Sequence, residues 1–422
     1  LDLLGKWPLW RWLVLGLAVR VLLLLWYVQS NSNGVLVPLR YPWRPDAATD
    51  GHWQIARTLW TDGQFAYWAG GPAVHNRPPL PPVVMAAVGG HSAQHWYRYW
   101  FAFTVTLSLL GLGLVRGVLR RAGASAVGIG LVLAVYCLHP YLMATVRVTN
   151  FQVLAAVGLL GWAGVLWRLG QASGRMQWRW ALGLGVLSGL LALTHGVLLP
   201  LLALGPLAIA FCPKLVRAQR LWLAGLCVVV GLGLVAPWTW RNWQTFGQVI
   251  PVATGAAGQY WKGSSWFRGM PDLEIRVHEA ETGQPYAQIY FGPVNPQTEQ
   301  VLARAMIKDI LAQPGQALRY WSISGIFYWL PWDAGWLRAV MVGSLTLPSL
   351  LLGGWGLWQG RRPSDAPARQ RRWWLWAVGL LLLGLGAAFT LLMGNVAYVA
   401  QSLPLLLLWA GVAAGANRPK QA

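Results

Sequence analysis

Residues 221–238 read LWLAGLCVVVGLGLVAPW, a run with no charged side chain. As a helix it is long enough to cross the hydrocarbon layer of a bilayer, about 30 Å thick, and in lipid only a helix or a closed barrel satisfies every backbone N–H and C=O. Comparable apolar blocks recur on both sides, at about 10–28, 98–117, 127–145, 151–167, 181–195, 197–212, 338–358, 374–394 and 402–417. With 221–238 they make ten predicted spans. Of the 422 residues, 56% are hydrophobic and 11% charged, far less charge than a water-wetted surface of this size requires. The expected fold is all-α: a polytopic transmembrane helix bundle forming a single transmembrane domain over 1–422.

The formal net charge is +21, a balance that in a soluble chain would point to nucleic acid. Its placement points elsewhere. Of 33 Lys and Arg, 18 fall in the short connections assigned to the inside, including Arg116, Arg120, Arg121, Lys214, Arg217, Arg220, Arg371 and Arg372. Ten of the twelve acids fall in the opposite set of loops. This positive-inside bias orients the chain and excludes nucleic acid as the partner of its basic charge. An even span number puts both termini in the cytoplasm, with the protein multi-pass in the plasma (inner) membrane. Residues 12–28 carry no small-residue cleavage site, so the first span is expected to be retained. Cys137, Cys212 and Cys227 lie in or beside apolar blocks, with neither metal spacing nor a disulfide framework.

Two outward loops, at 29–97 and 239–337, are too long to be mere connections. In the first, residues 51–62 (GHWQIARTLWTD) predict an amphipathic interfacial helix with Trp53, Ile55, Ala56, Leu59 and Trp60 as its apolar face. Residues 79–90 are apolar but too short to cross. The second loop predicts a helix near 297–313, opened by Asn295-Pro296 and closed before Pro314-Gly315.

The residues able to do chemistry concentrate there. Asp46 and Asp50 precede the first outward helix, each as an N-cap or as a general base whose pKa a Trp-rich wall would raise. Arg77, fixed by Pro78 and Pro79, is suited to grip a phosphate through paired N–H donors. Arg241 and Lys262, at the start of the second loop, serve the same anion or snorkel to lipid headgroups. His91 and His95 are four apart, a weak metal signal without a nearby acid, and no metal site is assigned. Arg20, midway along the first span, must face the bundle and find an anionic or carbonyl partner. Most of the 30 Trp are expected in interfacial belts.

The loop residues resemble the GT-C superfamily of polyprenyl-phosphate-sugar-dependent glycosyltransferases, such as the protein O-mannosyltransferases (glycosyltransferase family 39-like) and the bacterial aminoarabinose transferase. The carrying residues are Asp46 or Asp50, then Ile55-Ala56-Arg57, Gly63-Gln64-Phe65 and Arg77-Pro78-Pro79-Leu80. Further on come Pro237-Trp238-Thr239-Trp240-Arg241-Asn242, Phe246-Gly247, Val249-Ile250-Pro251-Val252 and Gly258-Gln259-Tyr260-Trp261-Lys262-Gly263. The resemblance implies sugar transfer, with inversion, from a polyprenyl-phosphate donor to a glycan, lipid or protein acceptor on the extracytoplasmic side. It makes Asp50 or Asp46 the base and Arg77 the phosphate ligand, and brings Arg57, His52, Arg241, Lys262, Tyr260 and Tyr398 into the substrate-binding set. The lipid-linked sugar is the one implied bound molecule, and a divalent cation is left open.

The chain also departs from the family pattern. Ala48 stands at the family's usual acid position, His52 where Tyr is frequent, Asn150 where an acid often starts the fourth span, and His195 and Ala397 where Arg is common. These departures keep open an inactive relative acting as a membrane scaffold or partner subunit. A transporter or flippase would place ionisable groups at mid-membrane in several spans, and only Arg20 is clearly so placed.

Overall fold

The computed structural model describes residues 6–30, 51–92, 95–139, 142, 151–270, 272–283, 296–329, 336–359, 366–392 and 399–414. Among them it contains sixteen α-helices, one 3-10 turn and a single isolated antiparallel bridge, Ala66 to Ala73. The chain is an all-α membrane fold. In order the helices are α1 (Leu9–Ser30), α2 (His52–Asp62), α3 (Leu80–Gly89), α4 (Trp96–Arg121), α5 (Ala126–Leu138), α6 (Gln152–Gln171), α7 (Met176–Thr194) and α8 (Leu201–Ala210). Then follow α9 (Arg217–Phe246), α10 (Ala256–Phe267), α11 (Leu273–Thr282), α12 (Pro296–Ala312), α13 (Pro314–Trp329), α14 (Trp336–Gln359), α15 (Ala366–Leu392) and α16 (Val399–Ala414). Three of the described helices, α4, α6 and α9, are each long and apolar enough to cross a membrane. Each of the ten apolar blocks read from the sequence overlaps a described helix, in several cases over only part of its length.

The main core gathers α1, α4 to α9, α15 and α16 around Leu112, Leu159, Trp162, Leu184, Trp374 and Leu408, all essentially fully buried. Apolar area alone does little to hold helices together in lipid, so close backbone approach and interhelical hydrogen bonds matter more. Both are present. Gly185 and Gly189 of α7 face Cys227 and Gly231 of α9, and a Cβ on Gly189 would stand 2.9 Å from the Gly231 carbonyl oxygen. The Trp162 indole donates to Ser188 Oγ at 3.0 Å, Trp373 to the Ala208 carbonyl, Trp374 to that of Ala163 and Trp409 to that of Leu375, each of these last three at 2.8 Å. These four tryptophans pin helices together within the bundle, while Trp10, Trp222, Trp355 and Trp358 are exposed.

Arg20 faces the bundle as expected. Its Nη1 donates to the Gly16 carbonyl at 3.0 Å, its Nη2 to Ser108 Oγ at 2.8 Å, and its guanidinium lies 5.8 Å from the Tyr136 ring centroid.

Four expectations need correction. The N-cap position of α2 is taken by Gly51 and not by Asp46 or Asp50, which lie outside the described residues. The buried face of α2 is His52, Ile55, Ala56 and Thr58, whereas Trp60 is exposed. His91 and His95 share no helix: His91 sits in a turn and His95 precedes α4, with its backbone amide on Ser92 Oγ. Pro314 opens α13 as well as closing α12, because a proline costs nothing at a first helical position whose N–H has no intrahelical partner.

Candidate functional site

The two long loops meet at the segment that carries Arg77. Residues 65–74 double back, with the Val74 amide donating to the Phe65 carbonyl at 3.0 Å. The continuation is fastened to the far end of α9 and the chain after it. The Thr254 amide donates to the His75 carbonyl at 3.0 Å, and the His75 ring meets Thr254 Oγ1 through Nδ1 at 2.7 Å. Arg241 Nη1 donates to the Val74 carbonyl at 3.0 Å and to Asn242 Oδ1 at 2.9 Å. The same guanidinium is boxed by Trp238, Phe246 and Phe65, with centroids at 4.8, 5.4 and 5.6 Å. Burial pulls Arg241 below the usual guanidinium range, and its aromatic box and carbonyl oxygen hold a cation in place of a carboxylate. Asn242 then donates to the Ile250 carbonyl and Trp238 to that of Val252, closing the chain after α9 onto the same staple.

The staple sets where Arg77 can be. Pro78 and Pro79 follow it, both buried, and Pro81 and Pro82 occupy the first turn of α3, where their missing N–H groups cost nothing. Arg77 is therefore held half-buried at the entry of a rigid helix, and its Nη1 donates to the Asn76 carbonyl at 3.1 Å. Asn76 Oδ1 accepts from Tyr67 at 3.0 Å, and Tyr67 packs on Gly51, the N-cap of α2. The start of α2 and the Arg77 segment are thus fixed to one another. Burial, with the Arg77 charge and His195 adding to it, pushes the His52 imidazole down to about 3. Phe151 stands between the histidines: its ring stacks on His195 at 4.2 Å and lies 6.5 Å from that of His52.

Of the residues singled out in the sequence, His52 and Arg77 come together, and Arg241 belongs to the staple behind them. Arg57 lies on α2 with Nη1 donating to the Gly90 carbonyl at 2.8 Å, tying α2 to the end of α3. Tyr260 is buried in a second layer formed by α10 to α13, where its hydroxyl donates to Asp309 Oδ2 at 2.9 Å. Arg268 reaches both oxygens of the same carboxylate, at 3.1 and 2.6 Å. Lys262 lies half-buried on α10. Asp46, Asp50 and Tyr398 lie outside the described residues. Phe151 carries no mark in the sequence, and His195 shows as the polar break between two apolar blocks and as the position where Arg is common in the family pattern.

No family model matches the chain, and no curated protein matches it either. Solved structures do. The archaeal oligosaccharyltransferase AglB from Archaeoglobus fulgidus, in complex with an inhibitory peptide and a dolichol-phosphate, superposes with a TM-score of 0.57 at 12% identity, covering 97% of this chain and 50% of that one. ArnT from Cupriavidus metallidurans, bound to undecaprenyl phosphate, superposes with a TM-score of 0.50 at 19% identity, covering 96% of this chain and 60% of that one. Both are GT-C superfamily glycosyltransferases. The architecture of this chain is the GT-C fold. The chain spans half of the AglB structure and three fifths of the ArnT structure, and at these identities the likeness establishes the fold alone.

Proposed function

We propose that this chain is a membrane glycosyltransferase that moves a sugar from a polyprenyl-phosphate donor to an acceptor on the extracytoplasmic side, with inversion at the anomeric carbon. The observation that carries this is the convergence of the α2 start with Arg77 in one pocket. Asp50 lies two residues before His52 in the chain and Asp46 six, so the candidate bases are tethered to that pocket by a short length of backbone. The dolichol-phosphate in the AglB complex and the undecaprenyl phosphate on ArnT support a lipid phosphate as the donor's carrier.

The chemistry follows from the residue types. The aspartate takes the proton of an acceptor hydroxyl as its oxygen attacks the anomeric carbon. The bond from that carbon to the phosphate oxygen breaks on the opposite face, and its electron pair leaves with the carrier phosphate. Arg77 meets the charge that builds there. The acceptor is a glycan, lipid or protein hydroxyl. The arrangement goes with ten spans, both termini cytoplasmic and residence in the plasma membrane.

Separate Asp46→Asn and Asp50→Asn variants, assayed for transfer from a labelled polyprenyl-phosphate sugar, test it. One of the two is expected to lose on the order of 10²–10⁴-fold in rate. Full activity in both removes the base. Arg77→Ala is expected to weaken polyprenyl-phosphate binding by roughly 10- to 100-fold, the worth of a charge-assisted hydrogen bond.

A further inference from the structure

His52 is 3% exposed, and neither ring nitrogen has a hydrogen-bond partner among the described residues. An imidazole always carries at least one N–H, and a buried donor left unpaired is costly enough to need a reason. Among the described residues the charged or titratable groups facing it are Arg77, from the segment entering α3, and His195, from the break after α7. His195 is already oriented, with its Nδ1 accepting from the Val197 amide at 3.4 Å. His52 is also the first residue of an eleven-residue helix, and Gly51 before it offers no side chain to cap the first-turn amides. A guanidinium, an unpartnered imidazole and a helix start whose N-cap is a glycine favour the same ligand, an anion with several acceptor oxygens.

We propose that these three groups build one anion site, and that His52 is a direct ligand of the donor's phosphate, its ring N–H donating to an oxygen beside those held by Arg77. This rests on Arg77 binding the carrier phosphate, as above, and adds a second ligand from a different element. Burial and the Arg77 charge keep the imidazole neutral near pH 7. It therefore adds direction without a second positive charge, which would hold the spent carrier more tightly. Both ring nitrogens are shut off from solvent in this conformation, so the phosphate reaches them as the pocket opens.

The full-length protein in detergent is titrated with a polyprenyl phosphate and, as the uncharged control, the matching polyprenol. His52→Leu is expected to weaken phosphate binding roughly 10- to 100-fold and to leave polyprenol binding unchanged, while His52→Gln, still a donor, recovers most of the affinity. In wild-type protein carrying 15N-histidine, the ring resonance missing from the His52→Gln spectrum is expected to move with the polyprenyl phosphate and to ignore polyprenol. That second measurement reads binding in the wild-type protein and uses the conservative variant for assignment alone. Unchanged phosphate affinity in His52→Leu, or a His52 resonance that ignores the phosphate in wild type, overturns the assignment while Arg77 keeps its role. Equal binding of phosphate and polyprenol by wild type, or wild-type affinity in Arg77→Ala, removes the Arg77 site and this inference with it.

Discussion

At Gly51 the backbone takes φ +78°, and a Cβ there would stand 2.3 Å from Tyr67 Cε1. Only glycine accepts both conditions without strain. Gly51→Ala is expected to push Tyr67 off Asn76, turn the start of α2 away from Arg77 and cost about 1–3 kcal/mol of stability. Thermal unfolding together with polyprenyl-phosphate binding would register both effects. The buried His52 brings its own pH dependence. Its folded-state pKa lies below its usual value of 6.5, so the stability it contributes is present above pH 6.5 and is lost as pH falls from 6.5 toward about 3. Melting temperature is expected to drop over that window in wild type and to drop less in His52→Gln. Arg77 was legible beforehand, since two prolines after an arginine in a loop mark a fixed cation. The convergence of His52, Phe151 and His195 was not, because they come from three elements with no spacing that links them.

Between elements, two contacts show how the loops and the bundle are held. Gly185 and Gly189 let α7 approach the α9 backbone, and a Cβ at Gly185 would come within 2.7 Å of the Cys227 carbonyl oxygen. Gly189→Leu is expected to force the two helices apart and to destabilise the bundle by about 1–3 kcal/mol, the usual effect of overpacking, as followed by unfolding in detergent. In the second loop, Asp309 gathers Tyr260 and Arg268, while Glu299 Oε1 accepts the Ala257 amide at 2.7 Å at the start of α10. Burial lifts the Glu299 carboxyl above the ordinary range even as that helix start pulls it down. Asp309→Asn would leave Arg268 without its counter-ion, and the layer is expected to become markedly more sensitive to proteolysis than the bundle. The helix at 296–312 was legible from its Pro boundaries, whereas α10, α11 and α13 passed unread. Their apolar residues contact one another only after the loop has folded, so no long periodic stretch announces them.

Across the whole molecule, the superposition on AglB covers 97% of this chain at 12% identity. At that distance the fold is shared while most side chains differ. Reporter fusions at 64–70 and 280–290 are expected to read as extracytoplasmic, and fusions after 120 and 214 as cytoplasmic. A swapped result would reverse the orientation and move the proposed pocket to the other face of the membrane.

Composition and hydropathy were enough to establish a helical membrane protein, because lipid leaves the backbone no alternative and twenty apolar residues in a row have few other uses. They were enough, too, to place the acids in two long loops. The tertiary structure decided which loop residues share a pocket. Arg241 became part of a staple, Arg57 a tie between helices and Tyr260 a buried partner of Asp309, while the Arg77 charge came to bear on the buried His52. Polar side chains of the same type look alike along the chain. Their roles differ only through the neighbours that packing supplies, and those neighbours can lie far away in the chain, as Thr254 does from His75, 179 residues apart.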